Sequence, residues 1–282
     1  MASAMQAANG FKQALLRGGP TFGVWQTLPG ANLSRAIARS GVEWICIDTE
    51  HGNIDATDAQ MHESVAAIAA CGVSPIVRIP ANEAWMIKRA LDAGAHAILV
   101  PLIKTAEDVR RLVSAAKFPP LGSRGFGSPF SMEKFAAGSR IPTATEYLQQ
   151  ANDALATIVQ IETAEAYTNI EEIAQAPGVD MFFVGPFDLG NNIGYPILDG
   201  SLHEELKKAI GRIFEVARKA GKATGIYCTS GEQAKGFADM GFNMISVAAD
   251  MIAIPSHIGA SLKAAKGSTK DWGGEITGPY GR

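Results

Sequence analysis

The feature that most limits what this chain can become is a beat. Short apolar runs of five or six residues recur along the 282 residues, most followed by a stretch of helical periodicity. Runs at 22–27, 44–48, 75–79, 97–101, 156–161, 180–185, 223–228 and 243–247 read as strands. Helical stretches fall at 31–40, 55–70, 83–92, 105–117, 164–176, 202–220 and 231–240, and Gly41, Gly72 and Gly94 stand where C-caps belong. A short amphipathic helix over 11–17 precedes the first strand, and a last helix starts near Pro255. Eight such units predict a (β/α)8 TIM barrel, because a doubly wound sheet usually has fewer strands. The units share no repeated motif, so the prediction rests on alternation alone. One barrel domain is expected over 1–265, N-terminal helix included, followed by a tail over 266–282 with five glycines, either disordered or lying along a neighbouring subunit. The beat breaks once, at 118–151, where PPLGSRGFGSPF and a polar, partly helical stretch far exceed an ordinary connection.

Several runs end in charge. The clearest is WICIDTEHG, a buried-strand pattern that stops at Asp48, Glu50 and His51. Arg78, Glu162 and Asp188 follow strands three, five and six in the same way. In a parallel barrel these positions share the carboxyl-end rim, where catalytic groups gather and unpaired charge is costly. Glu162 and Asp188, on adjacent strands, suit a divalent cation with water and substrate completing an octahedral shell. Without a cation or an arginine they would repel, and one would stay protonated. The plainer alternative is that each pairs with a surface lysine or caps a helix.

Composition removes other classes. With 47% hydrophobic and 19% charged residues and a formal net charge of −3, the chain has no basic field for nucleic acid. No run of about 18 apolar residues marks a membrane span. Cys46, Cys71 and Cys228 lack CxxC spacing and read as core residues of a reducing compartment, so a cytoplasmic protein is expected. CxxC, HExxH, GxxxxGK[ST], GxGxxG and GxSxG are all missing. The glycine-rich LGSRGFG could offer backbone amides to an anion, but weakly. A Schiff-base lysine has no strand to sit on: strands three and five to eight carry none, and Lys104 falls on a helix start. His62, His96, His203 and His257 lie in helical or pre-strand positions and read as structural or solvated.

Together IDTEHG, PIVRIP, LDAGAHAILVP, PPLGSRGFGS, YLQQAND, VQIET and VGPFDL, in this order over about 11–262, resemble the HpcH/HpaI aldolase family. The resemblance implies a barrel of the phosphoenolpyruvate/pyruvate-binding type and a metal-dependent (class II) pyruvate aldolase. It would use Mg, Mn or Co, act on a small 2-oxo acid and an aldehyde, and form a homohexamer that exchanges its last helix. Carried onto this chain, it makes Glu162 and Asp188 the metal ligands and Arg78 the group on the pyruvyl oxygen. His51 becomes the general acid/base, oriented by Asp48, with Glu50 supporting the metal's water shell. Gln160 and the backbone near Phe187 would touch pyruvate, Asp92 would approach a neighbouring subunit's site, and Tyr147 would also contact substrate. Phe187 replaces a small residue common in relatives, which leaves the substrate open. An oxaloacetate decarboxylase resembling macrophomate synthase would use the same enolate and is the close alternative. A non-catalytic binding barrel is a distant one, and an acyl-CoA lyase of the citrate-lyase type conflicts with His51.

Overall fold

The computed structural model describes residues 3–56, 59–136, 140–198 and 200–267. The eight apolar runs are strands β1 (Thr21–Gln26), β2 (Trp44–Asp48), β3 (Ser74–Arg78), β4 (Ala97–Val100), β5 (Ala156–Ile161), β6 (Met181–Val184), β7 (Ala223–Ile226) and β8 (Met244–Ala249). They pair in sequence order and in parallel, and β8 closes on β1. Helices α1 (Ala4–Ala8) and α2 (Gly10–Arg17) precede the barrel, and α3 (Ala31–Ala38), α4 (Ala59–Ala69), α5 (Ala84–Ala93) and α6 (Ala106–Ala116) alternate with β1 to β4. After them come α7 (Ala144–Ala154), α8 (Ala164–Thr168), α9 (Ile170–Gln175), α10 (Pro186–Asn192), α11 (Glu204–Lys219), α12 (Gly231–Met240) and α13 (Asp250–Lys266). Among the described residues no helix is long and apolar enough to cross a membrane.

Every residue of β2 to β6 is buried, because a parallel strand inside a ring of helices has no wet face. Side chains alternate along a strand. Ile45, Ile47, Val77, Ile98, Val100, Phe182 and Val184 face outward into a core shared with the helices. Trp44, Cys46, Ile76, Leu99, Ile158, Met181 and Phe183 face inward and fill the barrel. Helix α2 closes its lower end: Phe11 belongs to the inner cluster, is fully buried, and donates its amide to Ser74 Oγ at the start of β3, 3.0 Å away. Burial of that ring contributes about 1.5–3 kcal/mol. Gly23 makes room for Trp44, since a Cβ there would lie 2.1 Å from the indole.

Four expectations change. The irregular stretch from 118 resolves into a 3₁₀ turn, Met132–Phe135, and α7, which Thr143 opens with a reciprocal capping box to Glu146 and which runs to the edge of β5. The helix expected over 164–176 breaks at Asn169 into α8 and α9. A helix not foreseen, α10, follows β6 with Pro186 in its first turn. The last helix begins at Asp250 rather than near Pro255, which lies inside it. Of the expected tail, Lys266 closes α13 and residues 268–282 lie outside the described residues.

Candidate active site

The inward series continues past the core to the open end of the barrel. Asp48 stands two residues beyond Cys46, Arg78 two beyond Ile76, Gln160 and Glu162 beyond Ile158, and Gly185 beyond Phe183. The apolar plug therefore gives way to polar groups at one level. Above them lies a cavity of about 770 Å³, lined by Asp48, His51, Arg78, Gln160, Phe187 and Asp188 among others.

Arg78 is the best-held of these groups. Its Nε donates to Asp48 Oδ1 at 3.0 Å and its Nη2 to Asp48 Oδ2 at 2.5 Å, while Nη1 lies 3.0 Å from Glu50 Oε2. The guanidinium also sits 5.4 Å from the Trp25 ring centroid. Burial opposes its charge, but Asp48 and Glu50 outweigh that and hold it protonated beyond the ordinary arginine range.

Glu162 is 2% exposed. One oxygen accepts the Leu102 amide at 2.8 Å, and the other accepts the Gln160 side-chain amide. Burial pushes its carboxyl above the usual glutamate range and the charge of Asp188 adds to this, while the two hydrogen bonds pull the other way. Asp188 is exposed on the first turn of α10. Glu50 is pushed up to about 7, first by burial and then by Glu162, Asp48 and Asp188, against the pull of Arg78. Its buried Oε2 has no aligned hydrogen-bond partner, and neither has Gln160 Oε1. Acids thus outnumber cations around a buried point whose donors are all oxygen, which fits a hard divalent cation such as Mg or Mn. Among the described residues no three His, Cys, Asp or Glu form a ready-made cage. The oxygens present there belong to Glu50, Gln160, Glu162 and Asp188.

The acid/base arm differs from expectation. His51 is exposed, with Nε2 3.8 Å from Glu50 Oε2. Asp48 does not orient its imidazole: Oδ1 accepts the main-chain amides of Glu50 and His51, at 3.1 and 3.2 Å, and both oxygens face Arg78. A carboxylate 1% exposed takes the nearest buried cation, so Asp48 positions Arg78 and shapes the turn that carries His51.

Tyr147 is also corrected. It lies on the inner face of α7, outside the barrel, fully buried and packed against Phe118, Phe126 and Phe135, and its hydroxyl accepts from Arg124 at 3.3 Å. It does not line the cavity. Asp92, in the last turn of α5, pairs with Arg124 at 2.9 Å and does not line this chain's cavity either.

Three contributors were not foreseen. Leu102 adopts φ 55°, a left-handed conformation rare outside glycine, and so aims its amide at Glu162. Gly185 leaves room for the polar pair: a Cβ there would stand 2.7 Å from Glu162 Oε2 and 2.9 Å from Gln160 Nε2. Asp250, 3% exposed, accepts from the amides of Thr27 and Leu28 and the Thr27 hydroxyl, clamping the loop after β1 onto the end of β8. VAAD shows the same apolar run ending in an acid that marks Asp48, a signal available in the sequence.

A closed parallel barrel with acids, one fixed arginine and a histidine at its carboxyl-end rim has the form of an enzyme site for a small molecule. The sequence pattern of the HpcH/HpaI aldolase/citrate lyase family matches residues 21–255, and the chain belongs to that family. It is 38% identical over 244 residues to the hydroxypyruvate/pyruvate aldolase of Paraburkholderia phytofirmans, covering 86% of this chain and 92% of that protein. It is 35% identical over 267 residues to the 4-hydroxy-2-oxo-heptane-1,7-dioate aldolase of Shigella sonnei, covering 92% and 98%. The structure of an HpcH/HpaI aldolase/citrate lyase family protein from Burkholderia cenocepacia superposes with a TM-score of 0.81 at 33% identity, covering 92% of this chain and 100% of that one. The protein is a carbon–carbon lyase.

Proposed function

We propose that the protein is a divalent-metal-dependent pyruvate aldolase that cleaves 4-hydroxy-2-oxo acids to pyruvate and an aldehyde, and condenses the two in reverse. The observation that carries this reading is a permanently charged, doubly anchored Arg78 that lines the cavity with Asp188, both near enough to the buried Glu162 to act on its charge. Relatives named for aldol cleavage of the same substrate type support it.

Glu162 and Asp188 would hold Mg, Mn or Co, which supplies a Lewis acid at the oxygens of the 2-oxo acid. Arg78 has five N–H donors. Three of its nitrogens face Asp48 and Glu50, and the N–H groups left over bind the pyruvyl oxygen and stabilise it as negative charge develops. Gln160, with a buried unpaired oxygen, and the main chain around Phe187 position the pyruvate moiety. His51 takes the proton of the 4-hydroxyl as the C3–C4 bond breaks; the bond pair becomes the enolate, and the released carbonyl leaves as aldehyde. Glu50 stands behind Arg78 and His51 and supports the hydration of the acid pair. Asp92 would serve a neighbouring subunit's site. A homohexamer that exchanges α13 accounts for Met251, Ile254, Ile258 and Leu262, which form an exposed apolar stripe on that helix. The free cysteines accord with a cytoplasmic location.

Chelation tests the reading: metal-stripped protein should release no pyruvate from 4-hydroxy-2-oxo acids, and Mg, Mn or Co should restore release. Full activity after stripping refutes it. One observation favours a second reading, oxaloacetate decarboxylation through the same enolate. The enolate-binding half is buried and tightly bonded, whereas the His51 ring, needed only for the aldol step, is exposed. Turnover of oxaloacetate far faster than that of every hydroxy-oxo acid would decide for it.

A further inference from the structure

The turn that carries His51 is held at both ends. At its start Asp48 Oδ1 accepts the amides of Glu50 and His51. At its far end the amide of Asn53 donates to the carbonyl of Thr27, 2.8 Å away in the loop after β1. Gly52 fits between the two: a Cβ there would stand 2.2 Å from the Asp48 carbonyl oxygen and 2.9 Å from that of Thr27. The turn is therefore pressed against the β1 loop, and the position of Thr27 sets the position of the turn.

Thr27 is itself fixed from the neighbouring strand. Asp250, 3% exposed and standing just past β8, accepts the Thr27 amide at 3.0 Å on each carboxylate oxygen, the Thr27 hydroxyl at 2.7 Å and the Leu28 amide at 2.9 Å. The Met251 amide is a fourth donor, at 2.8 Å, and a carboxylate buried this deeply needs such a set. The Leu28 carbonyl in turn accepts from the buried Gln26 side chain at 3.0 Å, so the loop is gripped from two sides. Asp250 does not line the cavity, whereas Thr27 does. All of these bonds lie within one chain, and none uses a side chain of α13 beyond its first residue.

We infer that Asp250 is a positioning residue for the acid/base step: through Thr27 and the Asn53 amide it sets where His51 meets the 4-hydroxyl of the substrate. The inference rests on the aldolase reading and adds a further residue to its mechanism. Arg78 and Glu162 are held by other partners, Asp48 and Glu50 for the one, Leu102 and Gln160 for the other. Loosening the relay should therefore fall on the aldol step and spare the half of the site that stabilises the enolate.

The test compares aldol cleavage of 4-hydroxy-2-oxo acids with decarboxylation of oxaloacetate, both with saturating metal, in wild type, Asp250→Asn, Thr27→Val and Thr27→Ser. Hydrogen exchange is followed by mass spectrometry in peptides spanning 49–54. Asparagine offers one acceptor oxygen, and its NH2 would oppose an N–H of Thr27 or Leu28 donor to donor. Because a shift of about 1 Å in a catalytic group can cost on the order of a hundredfold, Asp250→Asn should lower kcat for aldol cleavage by roughly tenfold to a hundredfold and change decarboxylation by no more than about twofold. The Asn53 amide should exchange faster. Thr27→Val, which removes one hydrogen bond, should lose roughly threefold in aldol cleavage, and Thr27→Ser, which keeps the hydroxyl, should lose less. Equal losses in both reactions, or unchanged aldol cleavage in Asp250→Asn, overturn the inference and leave the aldolase reading intact. Loss of aldol cleavage without faster exchange in 49–54 overturns the route through Asn53. If Asp250→Asn does not fold, the Thr27 pair decides, and equal activity of the valine and serine variants overturns the relay. A wild-type enzyme that releases no pyruvate from any 4-hydroxy-2-oxo acid ends the aldolase reading and the inference with it.

Discussion

Asp48→Asn separates two accounts of the strand that ends in charge. Asparagine keeps an acceptor at Oδ1, so the bonds from Arg78 Nε and from the Glu50 and His51 amides, at 3.0, 3.1 and 3.2 Å, can persist and the turn should hold its shape. What is lost is the negative charge and the 2.5 Å bond from Arg78 Nη2 to Oδ2, where an amide would now oppose a donor with a donor. A hydrogen bond between buried charged groups is worth about 1.5–3 kcal/mol. Converted at about 1.4 kcal/mol per factor of ten, misplacement of Arg78 should lower kcat/KM by roughly tenfold to a hundredfold. Because Arg78 serves every reaction that passes through the enolate, aldol cleavage and oxaloacetate decarboxylation should fall together. Had Asp48 acted by fixing the His51 tautomer, only aldol cleavage would suffer. The assay is kcat/KM for both reactions in wild type and Asp48→Asn with saturating metal. A selective loss of aldol cleavage would refute the positioning role argued from the Arg78 contacts.

Three further outcomes are expected. His51→Ala should abolish most aldol cleavage and spare oxaloacetate decarboxylation, since only the former deprotonates a hydroxyl; equal losses would remove His51 from the acid/base role. Leu102→Gly should raise unfolding stability in urea by about 0.5–1 kcal/mol, relief of a left-handed leucine exceeding glycine's entropy cost, and a loss of more than about 1 kcal/mol would contradict the strain. Two buried groups should tilt stability with pH in opposite directions. His96 is held down to about 4 by burial against an ordinary 6.5, so the folded state binds fewer protons and up to roughly 3 kcal/mol is lost as pH falls from about 6.5 to 4. Glu50, raised to about 7 from 4.5, makes the metal-free folded state bind more protons, so stability falls as pH rises through about 4.5–7. Denaturant titrations of His96→Gln and Glu50→Gln should each flatten the corresponding window, and an unchanged slope in either would refute the assignment.

What could be read from the sequence follows from where side chains, rather than backbone, do the chemistry. WICID, ATIVQI and the other runs are strands because continuous apolar segments of that length bury both faces, and their closure in sequence order follows from the count of eight. Asp48, Arg78 and Glu162 stood out because each ends such a run; the two-residue period then carries Asp48 and Arg78 from the packed interior to the cavity, with Glu162 buried at the same level. Tyr147, taken from the family resemblance, does not line this chain's cavity because the helix before β5 runs along the outside of the barrel and turns its apolar face to the outer core. Leu102 and Gly185 could not be found this way. One acts through an amide aimed by an unusual φ and the other through the lack of a Cβ, and neither leaves a mark in residue chemistry. Asp250 could have been found by applying the strand-end rule to β8 as well, but Pro255 suggested a later helix start and left the acid in a supposed loop. Its bonds to Thr27 and Leu28 tie down the loop after the next strand around the barrel, as Asp48 holds the Arg78 side chain at the end of its next strand: both are buried carboxylates at strand ends that fix a neighbour. The rim is therefore organised by acids that fix neighbours as much as by groups that meet substrate, and a charged strand end has to be assigned to one task or the other from its bonding partner.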